Sequence, residues 1–264
     1  MYLIFDTETT GLPKKWNAPL TDSDNWPRCV QISWQIHDQG GGLISNRDYL
    51  IKPDGFKIPY DSEKIHGIST ELATQQGKEI NNVLNFFQDD LNKVQFIIGH
   101  NVNFDRNILG AEFLRKGLDD PFPSLKIIDT CTEETANVCQ IKGGPRGRFK
   151  LPTLTELYFF LFNDKFQEAH NATADVEATA RVFFELIRRK LIKPNVFDNQ
   201  NFQTNQITDI QNTIALYGIK HKNLRLESQK LKSPSTDKKP PISKHLNSLK
   251  DHSYVHLHNH TQFS

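Results

Sequence analysis

Met1-Tyr-Leu-Ile-Phe-Asp6-Thr-Glu8-Thr-Thr-Gly11-Leu12 opens the chain, and its reading decides the fold. An apolar run of strand-forming residues ends on two carboxylates one residue apart, followed by Thr-Thr-Gly. Side chains at i and i+2 of a strand point to one face, so Asp6 and Glu8 can converge on one spot. Carboxylates held that close repel, and each resists ionising unless a cation sits between them. Two readings follow: a divalent metal held at the end of a buried central strand, or a strand that runs into an acidic, Thr-rich turn. Partners further along decide between them.

Outward from this strand, residues 13–27 form a loop rich in Asn, Asp and Pro. Residues 29–36 alternate as a strand, Gly40-Gly-Gly42 turns the chain, and residues 43–51 return as a second strand, which gives a hairpin and an antiparallel meander. Pro53 ends it, and a loop carries Ile65-His66-Gly67-Ile68-Ser69. Ile80, Val83, Leu84, Phe87 and Leu91 then recur at helical spacing. The apolar run 94–98, ended by Gly99, reads as a buried strand. Phe104, Ile108, Ala111 and Phe113 or Leu114 mark a helix stopped near Gly117. Residues 125–128 read as a strand ending at Asp129, and 130–139 as helical. After a basic, Gly-rich loop at 143–150, Thr153-Leu-Thr-Glu156 has the capping-box pattern that opens a helix, here to about Phe162. Val176, Ala180, Phe183, Phe184, Ile187 and Leu191 define a last long amphipathic helix. A meander followed by strands alternating with helices predicts an α/β architecture, a mixed sheet flanked by helices.

Beyond Pro194 the pattern weakens. Ile207, Ile210, Ile214 and Tyr217 permit one more helix, and residues 233–244, with Pro240-Pro241, read as a linker. The expected division is a catalytic domain over 1–192, a helical extension and basic linker over 193–251, and the start of a further domain over 252–264. Hydrophobic content of 37%, charged content of 24% and a mean hydropathy of -0.56 describe a water-soluble protein. No apolar stretch approaches the ~20 residues of a membrane helix. Three cysteines without metal-ligand spacing read as reduced thiols of the cytoplasm. Between Lys220 and Asp251 nine Lys/Arg face three Asp/Glu; with the whole chain at +1, this surplus of six leaves -5 for the remainder. The basic segment attracts nucleic acid or is a solvated linker.

Two later segments supply partners for the opening carboxylates. In Gly99-His100-Asn-Val-Asn-Phe104-Asp105 the aspartate falls in the first turn of a helix, where an Asp is commonly only a dipole or capping residue. In His170-Asn-Ala-Thr-Ala-Asp175, positions five apart do not share a helical face. His170 therefore belongs on the loop before the helix, free to swing over the site, while Asp175 projects from the helix.

Asp6-Thr-Glu8, His100-x-x-x-Phe104-Asp105 and His170-x-Ala172-x-x-Asp175 resemble the three motifs of the DEDD 3′→5′ exonucleases, in the histidine branch that includes the proofreading (epsilon) subunit of bacterial replicative DNA polymerase III. Asp6-Thr-Glu-Thr-Thr-Gly-Leu and Ile65-His-Gly-Ile68 are similar to the proofreading version, and the resemblance spans about residues 1–190. It implies an RNase H-like fold. It further implies that Asp6, Glu8, Asp105 and Asp175 hold two Mg²⁺ or Mn²⁺ ions, as suits four oxygen donors without a soft ligand. His170 is then the general base, with the five residues together forming the catalytic set. Nucleotide contacts are implied at Thr7, Thr10, His66 and Phe104. Phe104 is equally a core position, and His66 equally a bystander in its loop. The basic loop 142–150, with Arg146 and Arg148, tracks the incoming strand or is merely solvated.

Tyr254-Val-His256-Leu-His258-Asn-His260-Thr-Gln-Phe-Ser264 places three histidines at period two, on one face of a strand. The segment resembles the first motif of the PHP domain that opens the polymerase III alpha subunit. The expectation is a fused polymerase in which Ser264 is not the natural C-terminus and residues from about 233 are dispensable for nuclease chemistry. The expected partners are the single-stranded 3′ end of DNA and a polymerase III alpha region on the same chain, without a membrane. Gln211-Asn-Thr-Ile214-Ala-Leu216 resembles the motif by which polymerase subunits bind the sliding clamp, although helical packing explains the same residues. Two rivals stand beside this reading: an RNA 3′-trimming exonuclease of the same family, and a non-catalytic tethering module.

Overall fold

The sheet is built around the opening strand because that strand is apolar on both faces. In a computed structural model that describes residues 1–166, 169–192 and 221–232, β1 (Tyr2–Thr9) lies at the centre of five strands in the order β3-β2-β1-β4-β5. β2 (Cys29–His37) pairs antiparallel with β1 and with β3 (Leu43–Leu50), as the Gly-rich turn between them predicts. β4 (Phe96–Gly99) joins β1 in parallel, and β5 (Lys126–Asp129) joins β4 in parallel. The helix read over 207–217, the clamp-like segment, the linker and the histidine-rich tail lie outside the described residues.

Strand alternation sorts the core into two layers. Leu3, Phe5 and Ile97 point to the side covered by α3 (Ile80–Leu91) and α4 (Val102–Arg115). Tyr2, Ile4, Phe96 and Ile98 point to the side covered by α6 (Leu154–Phe162) and α7 (Ala172–Arg188). Phe5 shows how tightly the first layer is packed, with ring centroids 5.5 Å from Phe87 and 6.0 Å from Phe122. Truncating such a ring to alanine costs ~3–5 kcal/mol through lost transfer energy and the cavity left behind. β2 is buried along its whole length, although four of its nine residues are polar. Its polar face is bonded internally except at the Gln35 amide nitrogen: Gln31 donates to Asp48 at 2.8 Å, Ser33 to the Arg47 carbonyl at 3.0 Å, and His37 bonds the Gln35 side-chain oxygen at 3.0 Å.

The stretch read as a loop before the first long helix is instead two short helices, α1 (Tyr60–His66) and α2 (Thr70–Gln76), joined through Gly67. Each has only seven residues, too few to display an apolar period. Ser69 caps α2 by accepting the Leu72 amide at 3.1 Å. α5 (Glu133–Cys139) is shorter than the sequence implies because Thr132 caps it late, while Thr153 and Glu156 form the expected reciprocal cap of α6. The last described helix, α8 (Leu224–Lys232), packs on α1 and α2. Ser228 donates to the Gly67 carbonyl at 2.7 Å and accepts the Ser69 amide at 3.0 Å. Among the described residues no helix is long and apolar enough to cross a membrane.

Candidate active site

Alternation in β1 puts Asp6 and Glu8 on the same face as Tyr2 and Ile4, the face covered by α7. There they meet Asp175, in the first turn of that helix. One carboxylate oxygen from each of the three lies within 4.8 Å of the others. Like charges at that distance repel by ~3 kcal/mol at an effective dielectric of ~20. The start of α7 is docked from β2. Gln31, the cross-strand partner of Glu8, accepts the Ala172 amide at 3.3 Å, and Asn171 caps the helix by accepting the Thr173 amide at 3.1 Å.

Asp105 approaches the strand from α4 and is the first of the neighbouring charges that repel Asp6. Of the four carboxylates expected as one ligand set, three bring an oxygen each within 4.8 Å, and Asp105 lies near enough to repel both Asp6 and Glu8. Thr7, between Asp6 and Glu8 in the strand, holds it: Asp105 Oδ1 accepts the Thr7 amide at 3.0 Å and the Thr7 hydroxyl at 2.6 Å. The helix carrying Asp105 is capped from β5, where Asp129 accepts the Asn101 amide at 2.8 Å and the Val102 amide at 3.2 Å. Asp105 lines the same cleft as the other three, a cavity of about 610 Å³. That lies within the ~300–1,000 Å³ typical of ligand sites.

Burial raises the pKa of all four groups. It is the largest cause for Asp6 and Glu8, which rise well above the ordinary range with further repulsion from their neighbours. Asp105 is pushed up to about 7 by burial, against the two Thr7 bonds that favour its charge. Asp175 is likewise pushed up to about 7 by burial, against the His170 amide that favours its anion. No lysine or arginine is among the groups that shift them. A buried, oxygen-only cluster short of positive charge fits a hard divalent cation.

His170 occupies the turn before α7, exposed, with φ +71, and lines the carboxylate cleft. This matches the expected arrangement of a loop histidine beside a helical aspartate. The other expected contacts separate. Phe104 lines the cleft while packing one side on the core, so both readings of it describe part of its position. Thr7 reaches the cleft but spends its hydroxyl on Asp105. Thr10 is engaged elsewhere, its hydroxyl accepting the Arg28 amide at 2.9 Å. His66 is the last residue of α1 rather than a loop residue, and is buried beside a smaller cavity that it shares with His170. Burial lowers its pKa to about 4, and its Nδ1 accepts the Ile68 amide at 3.1 Å, so the neutral ring carries its proton on Nε2. His100 is structural: its ring nitrogens bond Thr130 at 2.9 Å and the Pro152 carbonyl at 3.0 Å, and burial lowers its pKa to about 4.

The basic loop is less basic than its sequence, because Arg148 pairs with Glu133 and Lys150 with Glu156 at 2.7 Å. Sequence reasoning missed Leu12, Trp16, Gln31 and Asn171. A tryptophan inside a polar Asn/Pro loop was the available signal for Trp16; nothing local marked Gln31.

The exonuclease (RNase_T) family model matches residues 3–183. The PolC-type DNA polymerase III of Streptococcus suis is 28% identical over 229 residues, which cover 86% of this chain and 14% of that protein. That of Pediococcus pentosaceus is 26% identical over 189 residues, covering 71% and 11%. Among solved structures, Escherichia coli exonuclease I in complex with a dT13 oligonucleotide superposes with a TM-score of 0.57 at 22% identity, covering 75% of this chain and 42% of that one. Exonuclease I from Methylocaldum szegediense gives 0.56 at 20%, covering 74% and 41%. At these identities the likeness is one of fold, the expected RNase H-like one. The chain spans about 14% of the length of the first of these polymerases and less than half of either exonuclease I chain.

Proposed function

This chain belongs to the exonuclease (RNase_T) family, and on that premise we propose that it is a metal-dependent 3′→5′ DNA exonuclease that proofreads as part of a cytoplasmic DNA polymerase III chain. The observation that carries the reading is the convergence of Asp6, Glu8 and Asp175 within 4.8 Å, in a cleft shared with Asp105 and His170.

Asp6, Glu8 and Asp175, with Asp105 beyond Thr7, would hold two Mg²⁺ or Mn²⁺ ions. When bound, such ions acidify a water and stabilise charge on the phosphoryl oxygens. The protein's own groups do the rest. His170, an imidazole lining the cleft, takes a proton from the attacking water. The water oxygen bonds to the phosphorus of the terminal phosphodiester as the bond to the 3′ oxygen breaks. The shortened strand keeps that oxygen as a hydroxyl, and the released nucleotide carries the phosphate on its 5′ oxygen. The open cleft admits a single strand, which Leu12 and Phe104 can contact through apolar surface.

Membership of a polymerase III chain is supported by the PolC-type relatives and by the resemblance of 254–264 to a PHP motif. The clamp-like segment 211–216 is a partner site only if replacing Gln211 and Leu216 breaks a complex with the sliding clamp. The decisive comparison uses a 3′-labelled primer with a mismatched terminus, against the same primer fully paired and against an RNA strand. Faster release from the mismatched DNA supports proofreading; preference for the RNA end would replace it with 3′-end trimming of RNA.

A further inference from the structure

Three tryptophans occur in the chain, and two are treated as the physics of burial expects. Trp26 is 3% exposed and donates its indole N–H to the Pro19 carbonyl at 3.1 Å; Trp34 is fully buried and donates to Asp90 at 2.9 Å. Trp16 is 58% exposed. Leaving most of a side chain that commonly buries ~150–250 Å² in water forfeits one of the largest apolar contributions available to a fold. The exposure is also fixed rather than incidental. Asn25, buried, clamps the backbone immediately before Trp16 through both atoms of its amide: its Oδ1 accepts the Lys15 amide at 2.7 Å and its Nδ2 donates to the Lys15 carbonyl at 3.0 Å. Trp26, held to Pro19, anchors the far side of the same loop.

The ring so presented lies at the carboxylate cleft. Trp16 lines it together with Leu12, which is 72% exposed, and Phe104, whose ring centroid is 5.9 Å from that of Trp16 at 51°. Phe104 is backed by the core, so the pair forms an aromatic wall with one side supported and the other open. An aromatic wall beside a carboxylate cluster suits a ligand with flat apolar faces linked to a charged, metal-seeking backbone, which is the chemistry of a single nucleic-acid strand.

We propose that Trp16 is a base-stacking residue, against which a nucleobase of single-stranded DNA lies while the terminal phosphodiester of the same strand reaches the cations that the carboxylates would hold. The assignment rests on the nuclease reading above and adds to it a binding residue from the loop 13–27. Stacking engages the face that every base has, so Trp16 contributes affinity without sequence preference.

Trp16 is the one substantially exposed tryptophan of the three, and so its own emission reports the contact. Oligothymidylate with a cleavage-resistant phosphorothioate at its 3′-terminal linkage, titrated into the protein with Ca²⁺ in place of Mg²⁺, is expected to quench tryptophan fluorescence saturably. The quench is expected to vanish in Trp16→Phe. Anisotropy of a labelled oligothymidylate is expected to show Trp16→Ala binding ~5- to 100-fold more weakly, with Trp16→Phe recovering most of the loss. Unchanged emission in the wild-type protein, or equal affinity in Trp16→Ala, overturns the proposal. Mg²⁺-dependent cleavage of the unmodified strand separates it from its premise. Cleavage without the quench refutes the stacking alone, and the quench without cleavage refutes the nuclease reading alone.

Discussion

The main-chain amide of His170 donates to Asp175 Oδ2 at 3.0 Å, which locks a left-handed loop residue to a carboxylate of the first turn of the following helix. The bond fixes where the imidazole begins and, with the same contact, favours the charged form of Asp175. His170→Ala keeps this bond, since the amide is not altered. It should lower kcat by ~10²–10⁴-fold, the usual contribution of a general base, while isothermal titration with Mn²⁺ remains unchanged. Equal turnover in the two proteins would leave His170 a bystander.

The carboxylate cluster has a stability signature of its own. Asp105 and Asp175 have folded pKa values of about 7 against an ordinary value of 3.8, so the native state binds more protons than the unfolded chain between those limits. Stability from these groups is therefore present below the ordinary value and is lost as pH rises towards 7. Asp6→Asn removes one repelling charge, and should raise the thermal midpoint of the metal-free protein at pH 8 by about 2–4 °C per kcal/mol of relieved repulsion. The gain should shrink towards pH 5, where the cluster is largely protonated in the native protein. A gain independent of pH would mean that repulsion is not its source.

Thr7 holds Asp105 through two bonds, one of which a nearly isosteric substitution removes. Thr7→Val keeps the strand former and the amide bond but deletes the hydroxyl at 2.6 Å. Its cost in stability should be ~1 kcal/mol. The carboxylate loses a donor, so the Mg²⁺ concentration for half-maximal cleavage should rise several-fold, with kcat at saturating metal nearly unchanged. A fall in kcat with the metal dependence intact would contradict this.

Much of this architecture was legible from side-chain periods. Tyr2, Leu3, Ile4 and Phe5 read as a strand apolar on both faces, and such a strand belongs in the middle of a sheet with helices on either side. Thr153 and Glu156 announced α6, and the spacing of His170 from Asp175 announced a loop residue followed by a helical one. What escaped depends on contacts between distant segments. α1 and α2 are two turns each; α2 packs Leu72 and Ala73 into the cluster around Val30 and Leu224, and neither helix has a pattern of its own. The hold on Asp105 comes from Thr7, about a hundred residues away in the chain, which no motif spacing announces. Thr10 is another such case: its hydroxyl accepts the amide of Arg28, eighteen residues on, a contact that its place in the motif does not announce.

Gly67 ties the first motif's surroundings to the last described helix. It has φ +78, and a Cβ there would lie 2.9 Å from the Arg225 amide nitrogen. Gly67→Ala should therefore cost ~1–3 kcal/mol, measured by urea unfolding. By the same contacts, a chain ending at Lys232 should keep its thermal midpoint. One ending at Ile192 should lose stability, because α8 then no longer covers Ile68 and Leu72. Equal midpoints for the two truncations would make α8 an ornament of the nuclease body.

The most direct measurement follows the length of a 5′-labelled single strand of DNA incubated with Mg²⁺ and either the wild-type protein or Asp6→Ala. The expected result is a ladder that shortens stepwise from the 3′ end, the released products being 5′-mononucleotides, with no shortening in EDTA or with Asp6→Ala. A strand left intact by the wild-type protein, loss of the label from the 5′ end as the first product, or undiminished cleavage by Asp6→Ala would contradict it.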